Sequence, residues 1–201
     1  MLPADVEALR RAVHRVATLG EDALSAAVVH TRPRQLVRGE HLLRAGEPAT
    51  QVAFVAQGLL REYFGWSSGV ERTKAFIEED RISGSLADLI AEGPSSANIV
   101  AEEPTRALCI PFVRLRELAA DWDDWDRFGR RATEALLLRK ADRERELLGM
   151  DAEARYLRFE QLHPQLAGRV AAKHIASYLG ITPVHLSRLR RRRRDRRTAT
   201  R

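Results

Sequence analysis

Apolar residues recur along the chain with two different spacings. Over residues 4–19 the apolar positions fall three and four apart, which predicts an amphipathic helix. These positions are Val6, Leu9, Val13 and Val16. A second short helical stretch follows Gly20 and ends near Arg32-Pro33, because the residue before a proline avoids the helical conformation. The chain is therefore expected to open with two helices.

From about Gln35 to Pro111 the helical spacing gives way to short β-prone runs. In order, these runs are QLV, HLL, VAFVA, GLLREYF, TKAFI, ANIVA and TRALCI. Segments rich in glycine, proline and serine separate them. Several short strands at roughly even spacing predict an all-β sandwich or barrel, which one helical turn over residues 85–90 is expected to interrupt.

The helical spacing returns between Pro111 and Met150, which predicts one long helix. Its apolar positions form a seam made of Trp122, Trp125, Gly129, Ala132 and Leu136. This seam can pack on the chain's own domain or on a second chain, and the width of the apolar face and the length of the helix favour a second chain. We therefore expect a dimer helix with contacts at Trp125, Ala132 and Leu136.

Three short helices are predicted from Asp151 onward, and the last two flank Gly180. This glycine stands where a left-handed residue would end a helix. Thr182 can cap the next helix, and Pro183 suits its first turn. This is the layout of a helix-turn-helix, whose second helix enters the major groove of DNA. An ordinary helical hairpin is the alternative, and the turn chemistry with the adjacent arginines favours DNA binding.

The residues that face away from the core of this unit are the candidate DNA contacts. Those near the start of the second helix would lie by base edges, where arginine paired with guanine is the commonest specific contact. Arginines over residues 190–194 would mostly meet phosphates, and Lys173 and His174 could also touch the DNA backbone. The predicted DNA-binding set is Lys173, Thr182, Pro183, His185, Ser187, Arg188, Arg191 and Arg192.

The net charge of +6 is concentrated at one end of the 201-residue chain. Residues 188–201 hold nine arginines and one aspartate, a net charge of +8, so the other residues sum to −2. A concentrated positive segment indicates a polyanionic partner such as nucleic acid. Taken alone, the segment could also be a solvated tail, and we expect it to be partly disordered without DNA.

Other kinds of chemistry find little support. Cys109 is the single cysteine, which excludes a disulfide framework or an iron–sulfur cluster within one chain. The acidic cluster at residues 121–126 lacks the spaced ligand loop of a metal site, and negative charge near a helix start explains it. We expect no enzyme activity, no cofactor and no metal. The sequence shows neither a membrane-spanning apolar run nor a signal peptide, so we expect a cytoplasmic protein.

The order of β-rich domain, long helix and helix-turn-helix resembles the Crp/Fnr family of bacterial transcription regulators. The stretch LVRGEHLLRAGEPATQVAFVAQGLLREYF is similar to the opening of the family's cyclic-nucleotide-binding-type β-roll, with glycine turns at Gly39, Gly46 and Gly58. The resemblance implies an α+β fold. Its parts would be an N-terminal double-stranded β-helix (a β-roll or jelly roll) with flanking helices, a long dimerisation helix and a C-terminal helix-turn-helix domain.

With this resemblance the chain divides into three parts. Residues 1–115 would form the sensor domain, residues 116–150 the dimerisation helix, and residues 151–201 the helix-turn-helix domain with its basic tail. The family's mode of action implies a homodimer on a near-palindromic site in double-stranded DNA, with RNA polymerase as a further partner and a small-molecule effector that is unknown or absent. The alternative is a small-molecule sensor module that acts through protein partners, with a tail that binds polyanions nonspecifically.

The segment that corresponds to the family's phosphate pocket departs from the cyclic-AMP-binding members. Those members carry a Gly-Glu-Leu element and, after a short helix, an arginine followed by serine or threonine. Here Ser85 stands between Gly84 and Leu86 at the glutamate position, and Ser95-Ser96 stands at the arginine pair. A buried phosphate would lose a charge-assisted partner. The resemblance therefore implies that these five residues form an effector pocket that does not bind cyclic AMP tightly.

The predicted recognition helix departs from the family as well. Pro183-Val184 replaces the Arg-Glu of many members, while Arg188 keeps the later arginine position. Glutamate accepts a hydrogen bond from cytosine, and valine cannot. The operator is therefore expected to differ from the usual family consensus.

Overall fold

A computed structural model describes residues 1–199. The helices are α1 (Pro3–His14), α2 (Glu21–His30), α3 (Leu86–Ile90), α4 (Phe112–Asp121), α5 (Asp123–Gly149), α6 (Ala152–Leu162), α7 (Ala172–Leu179) and α8 (Pro183–Ala199). The strands are β1 (Arg32–Leu36), β2 (His41–Leu43), β3 (Gln51–Gln57), β4 (Leu60–Gly65), β5 (Glu71–Ile77), β6 (Ile82–Ser83), β7 (Asn98–Ala101) and β8 (Thr105–Pro111). A 3₁₀ turn, Pro164–Gly168, lies between α6 and α7. No helix among these residues is both long and apolar enough to cross a membrane.

The strands form two antiparallel four-stranded sheets, in the orders β1-β8-β3-β6 and β2-β7-β4-β5. Buried side chains from both sheets form one core, which includes Leu36, Val55, Leu60, Ile99 and Cys109. Burial raises the pKa of Cys109 to about 11, so its thiol stays protonated at neutral pH. This jelly-roll-like domain confirms the predicted β-sandwich.

The structure differs from the sequence prediction at two strands, β1 and β6. β1 begins at Arg32 and includes Pro33, which is tolerated because β1 is an edge strand with β8 as its neighbour. β6 has two residues and pairs with Ala53 and Phe54 of β3. A strand this short leaves no periodic pattern to recognise.

A second core lies on the outer face of the β1-β8-β3-β6 sheet. Helices α1, α2, α4 and the start of α5 pack there on Val52, Phe54 and Ile110, which alternate along their strands with the inward-facing residues. The Trp125 side chain is 2% exposed in this core. Its indole Nε1 donates a hydrogen bond of 2.8 Å to the carbonyl oxygen of Ala23, so α5 is anchored to α2.

The predicted single helix over residues 116–150 is wrong, because the chain breaks at Trp122. The backbone there is extended, with φ −135° and ψ 117°, so α4 and α5 are separate helices. Neither proline nor glycine marks the break. Leu118 of α4 and Trp125 of α5 are both buried in the same core, one on each side of the break. Trp125 is therefore a core residue of its own domain, which corrects its expected place in the dimer seam.

Helices α6, α7 and α8 form a second unit, as the sequence predicted, with a core that includes Ile175, Leu179 and Leu186. Leu59 and Phe76 of the β-roll belong to this same core, so the two parts of the chain share buried surface. α8 continues through the arginine run, which corrects the expectation of a partly disordered tail for the residues that the structure describes. Arginine is a good helix former, which agrees with this extension. Residues 200–201 of the predicted tail lie outside the described residues.

A carboxylate-rich edge of the β-roll holds the second unit in place. Arg169 donates hydrogen bonds of 2.7 and 3.0 Å to Glu79 and of 2.5 and 3.1 Å to Glu103. His163 lies 2.7 Å from Glu78 through its Nδ1. Charge-assisted bonds of this kind are the stronger class of hydrogen bond. We call these contacts, together with those of α7 described next, the interdomain clamp.

The helix α7 of the second unit packs along β5 at the edge of its sheet. The backbone N–H of Thr73 donates a hydrogen bond of 2.9 Å to Ser177 Oγ, and that hydroxyl donates to the carbonyl of Glu71 at 3.1 Å. His174 Nδ1 lies 2.9 Å from a carboxylate oxygen of Glu102. His174 is thus part of the clamp, which corrects the expectation that it touches the DNA backbone.

Glu102 is buried between the two parts of the chain and also accepts a hydrogen bond of 2.6 Å from Arg61 Nε. Burial raises the pKa of this carboxyl, but the hydrogen bonds from His174 and Arg61 outweigh burial and leave the pKa below its usual range. The pKa of Glu79 is lowered in the same way, by Arg169 against burial. A carboxyl with a lowered pKa stabilises the folded state above its ordinary pKa. The stabilisation from Glu79 and Glu102 is therefore fully present at neutral pH and is lost as the pH falls through their lowered pKa values.

The far end of α5 contacts the second unit as well. The Arg143 guanidinium lies 4.0 Å from the centroid of the Tyr178 ring and donates a hydrogen bond to the carbonyl of the same residue. Within the second unit, Arg155 Nε of α6 donates a hydrogen bond of 2.9 Å to the carbonyl of Leu179 in α7. The Arg143 contacts attach α7 to the long helix, so α7 lies between the β-roll and α5.

Replacing Arg169 by glutamine is expected to loosen the second unit without unfolding the β-roll. Charged hydrogen bonds contribute about 1.5–3 kcal/mol, and ~1.4 kcal/mol corresponds to a factor of ten in opening. Amide hydrogens of α7 should then exchange about tenfold faster at pH 7, while those of β3 and β8 stay unchanged. Arg116→Gln is the control, because its ion pair with Glu92 is exposed. Equal exchange in the two variants would contradict a role for the clamp.

Candidate DNA-binding surface and effector pocket

Backbone hydrogen bonds and a left-handed glycine form the turn between α7 and α8. Gly180 has φ +69° and ψ 31°, the left-handed conformation that the sequence predicted for it. Its N–H donates to the carbonyl of Ser177 at 3.2 Å, and the N–H of Ile181 donates to the carbonyl of Ala176 at 3.0 Å. These bonds form the glycine-terminated end of a helix. The chain therefore leaves α7 in a fixed direction.

α8 begins as the sequence predicted. The backbone N–H of His185 donates a hydrogen bond of 3.1 Å to Thr182 Oγ1, so Thr182 caps the helix. Pro183 is the first helical residue. Leu186 and Leu189 are buried against α6 and α7 and set the rotation of α8 about its axis. The opposite side of α8 therefore faces solvent.

This exposed side of α8 begins with an apolar residue and continues with cations. Val184 and Arg188 are four residues apart and share one face, and Arg191 and Arg192 continue that face one turn later. All four side chains are exposed. We call this face the α8 outer face.

The structure brings the predicted DNA-binding residues to one region. Each of them is exposed, and they lie on α8 or at its cap, apart from Lys173 at the start of α7. The Thr182 hydroxyl is engaged by the cap, so its role is to begin the helix. Val184 was absent from the predicted set. Its four-residue spacing from Arg188 was the signal that would have found it.

Two arginines of the basic run turn toward the protein. Arg193 forms an ion pair with Glu160 of α6. Arg190 is half-buried and forms a hydrogen bond with Tyr156, whose hydroxyl also donates to Glu160 at 2.5 Å. These contacts hold α8 against α6. They also correct the expectation that Arg190 and Arg193 meet phosphates.

The segment that corresponds to the phosphate pocket folds as expected, with the short α3 after β6. Gly84 has φ +151° and lies close to β3, where an added Cβ would come within 3.4 Å of the carbonyl oxygen of Gln51. Leu86 begins α3. Ser85 and Ser95 are buried, and Ser95 Oγ donates a hydrogen bond of 2.7 Å to the carbonyl of Ala97. The hydroxyl of Ser95 is thus engaged within its own turn.

A carboxylate joins the two ends of this segment. Asp88 Oδ2 accepts hydrogen bonds from the backbone N–H of Ser96 at 2.8 Å and from its hydroxyl at 2.9 Å, and it also accepts one from the Ser85 hydroxyl. Burial raises the pKa of Asp88, but these donors outweigh it and leave the pKa below its usual range. The hydroxyls of Ser85 and Ser96 and the N–H of Ser96 are therefore engaged by a carboxylate of the chain itself.

An open hollow of about 410 Å³ lies beside this segment. Polar side chains from Arg34, Glu47 and Gln51 line it, together with Leu42 and Ile99. Of the five residues predicted to form an effector pocket, Gly84 borders this hollow. The serines at 85 and 96 belong to the Asp88 cluster instead.

The long helix α5 carries an exposed apolar strip. Leu137 is 67% exposed and Leu148 is 81% exposed. Ala141 lies between them at helical spacing, also exposed, whereas Ala132 and Leu136 of the predicted seam are half-buried. Apart from Glu144, which lies on the same side between Ala141 and Leu148, these residues form an apolar strip that nothing in the described part of the chain covers.

Comparison with protein families identifies the N-terminal domain. Residues 33–121 match the family model of the cyclic nucleotide-binding domain. The match runs from the start of β1 to the end of α4, so it stops where the chain breaks before α5. None of the curated protein sequences matches the chain.

Solved structures share the fold of nearly the whole chain. FixK2 from Bradyrhizobium japonicum is 19% identical, with a TM-score of 0.70 over 83% of this chain and 85% of that one. The c-di-GMP responsive global regulator CLP from Xanthomonas campestris is 14% identical, with a TM-score of 0.70 over 88% and 92%. The catabolite activator protein of Thermus thermophilus is 24% identical, with a TM-score of 0.57 over 92% and 87%. Residues 33–121 are therefore similar to cyclic nucleotide-binding domains, and the chain shares the fold of these three regulators.

Proposed function

We propose that the chain is a transcription regulator of the Crp/Fnr type that binds DNA in a sequence-specific way, as a homodimer on a near-palindromic operator. The observation that carries this proposal is the α8 outer face. A capped, exposed helix follows a tight glycine turn and presents cations in the direction away from its core. This is the geometry with which a recognition helix enters the major groove.

The residues of α8 divide into two roles under this proposal. Its first turns hold His185, Ser187 and Arg188, which would reach base edges, because the N-terminal residues of a recognition helix do so. Arg188 would pair with the O6 and N7 atoms of guanine. Arg191 and Arg192, further along, would meet phosphates and supply affinity that depends on salt. Lys173 would add a backbone contact from α7.

The exposed strip of α5 supports a homodimer. Leu137, Ala141 and Leu148 lie on one side of the helix, and a second copy of α5 would cover the strip with the same residues. An isologous contact of this kind produces two-fold symmetry. Two α8 helices related by a two-fold axis would read two half-sites of opposite orientation, which is why the operator is expected to be near-palindromic.

The proposal includes independence from cyclic AMP. A cyclic phosphate buried in this domain needs donors and a positive partner. Ser95-Ser96 stands where the cyclic-AMP-binding members carry arginine and its neighbour, and the carboxylate of Asp88 already accepts the donors of Ser85 and Ser96. The Asp88 carboxylate would repel a cyclic phosphate at this place, and the phosphate oxygens would lack hydrogen-bond donors. The effector is thus a different small molecule or is absent.

The proposed regulator is not an enzyme and would act in the cytoplasm, with RNA polymerase as a further partner. The second candidate function is a sensor module that acts through protein partners, with the basic run as a nonspecific anchor. The hollow near Gly84 favours this candidate. The two candidates differ in whether the chain discriminates between DNA sequences at physiological salt.

Selection of bound fragments from random genomic DNA at physiological salt tests the proposal. Wild type should enrich a motif with two-fold symmetry. Arg188→Ala should weaken the free energy of binding to this motif by about 1–3 kcal/mol. It should also relax the base preference at one position in each half-site. Arg191→Ala is the matched control, because loss of a phosphate contact weakens all fragments alike. Binding without an enriched motif, unchanged by Arg188→Ala, would establish the nonspecific anchor instead.

Leu137→Glu should disrupt the dimer. A buried and unpaired carboxylate in the contact between two α5 helices is costly, so sedimentation should show monomers at concentrations where wild type is dimeric. The affinity for the selected operator should fall as the dimer is lost. Val113→Glu is the control, since Val113 is similarly exposed but lies on α4. A dimer that persists in Leu137→Glu would show that the strip is not the contact.

Titration calorimetry with cyclic AMP should show no binding at micromolar concentrations. The reason is the missing arginine together with the Asp88 carboxylate that occupies the donors. The ratio of bound nucleotide to protein is the quantity to report. Binding at micromolar affinity or tighter would overturn the proposed independence from cyclic AMP.

A further inference from the structure

Val184 is an exposed apolar residue on a face of α8 that continues with arginines. Its side chain is 61% exposed in the first turn of α8, next to Pro183 and His185. It is absent from the core that α8 shares with α6 and α7, to which α8 contributes Leu186 and Leu189. A β-branched side chain in an exposed helical position also gives no gain in helix propensity. Packing within the chain therefore does not explain this residue.

The position of Val184 relative to Arg188 points to a role at bases. Four residues along a helix correspond to a rise of about 6 Å. Successive base pairs of B-DNA are spaced by about 3.4 Å. With Arg188 placed on a guanine, Val184 lies within about two base-pair steps of it, and nearer the start of the helix. That is the part of a recognition helix that reaches base edges.

The chemistry of valine selects among the four bases. In the major groove, thymine presents a C5 methyl group, whereas cytosine presents an amino donor at the same edge. Valine has neither a donor nor an acceptor in its side chain. A valine opposite cytosine would leave the cytosine amino group without a hydrogen-bond partner. A valine opposite thymine would bury the thymine methyl group against the valine methyl groups. An apolar contact at this position therefore favours thymine.

We propose that Val184 is a specificity-determining residue that reads the C5 methyl of one thymine in each half-site. This inference rests on the proposed function, since it needs α8 to lie in the major groove. It adds a base and a position to that function: a thymine within about two base pairs of the guanine that Arg188 contacts.

The test uses the operator obtained by selection and replaces each of its thymines in turn by deoxyuridine. Deoxyuridine keeps the base pairing and lacks the C5 methyl, so the substitution removes one apolar contact and nothing else. For wild type, one thymine in each half-site should show a loss of affinity of about fourfold, the effect of one buried methyl group. The other thymines should show little change.

Val184→Ala supplies the matched protein variant. Position 184 is exposed, and alanine is a better helix former than valine, so the variant should keep the fold. The loss at the sensitive thymine should become smaller in Val184→Ala, because the variant lacks the two γ methyl groups, while the guanine preference assigned to Arg188 stays. Val184→Glu should shift the selected base at that position from thymine to cytosine, because glutamate accepts from the cytosine amino group.

The outcomes separate this inference from the proposed function. A motif without any methyl-sensitive thymine would overturn the inference and leave the proposed function standing. A methyl effect of undiminished size in Val184→Ala would also overturn the inference, because the contact would then belong to Pro183 or another neighbour. Absence of any enriched motif would remove the proposed function and the inference together.

Discussion

Arg169 lies between the carboxylates of Glu79 and Glu103, and the position of the unit formed by α6, α7 and α8 depends on this contact and its neighbours. On the same side of the β-roll, Glu102 joins His174 to Arg61. The pKa values of Glu79 and Glu102 are lowered, so these two carboxyls are charged at neutral pH, and a charge left unpaired between two packed units is costly. The contacts with Arg169, His174 and Arg61 pair them. They therefore hold α7 against β5, and because α8 follows α7 through a tight turn, they also set the direction in which α8 points.

The clamp gives the β-roll a physical link to the α8 outer face. The strand β5 contacts α7 through two backbone hydrogen bonds to Ser177, and β5 pairs along its length with β4 of the same sheet. The end of α5 contacts α7 from another side through Arg143. A shift of β5 or of α5 would have to move α7, since packed elements change between discrete arrangements rather than deform continuously. Regulation of the proposed function would act through these contacts.

The sequence predicted the features that local chemistry decides. The left-handed Gly180, the capping Thr182 and the jelly roll follow from glycine and proline positions and from alternation along strands. The break at Trp122 was not predicted, because neither proline nor glycine marks it in the sequence. The clamp was missed for the same kind of reason: Arg169 and Glu79 are 90 residues apart, and no local pattern marks their pairing. Arginines 190 and 193 looked like phosphate contacts until the fold placed α6 beside them.

The most direct test of the account is whether α8 reads the major groove. Methylation of guanine at N7 blocks that edge, so binding of the chain to premethylated operator DNA reports which guanines it contacts. The account predicts interference at two clusters of guanines on one side of the duplex, related by two-fold symmetry and separated by about one helical turn of 10–10.5 base pairs or a multiple of it. Binding that is indifferent to N7 methylation throughout the selected site would contradict it, since the chain would then be holding the DNA by its phosphates alone.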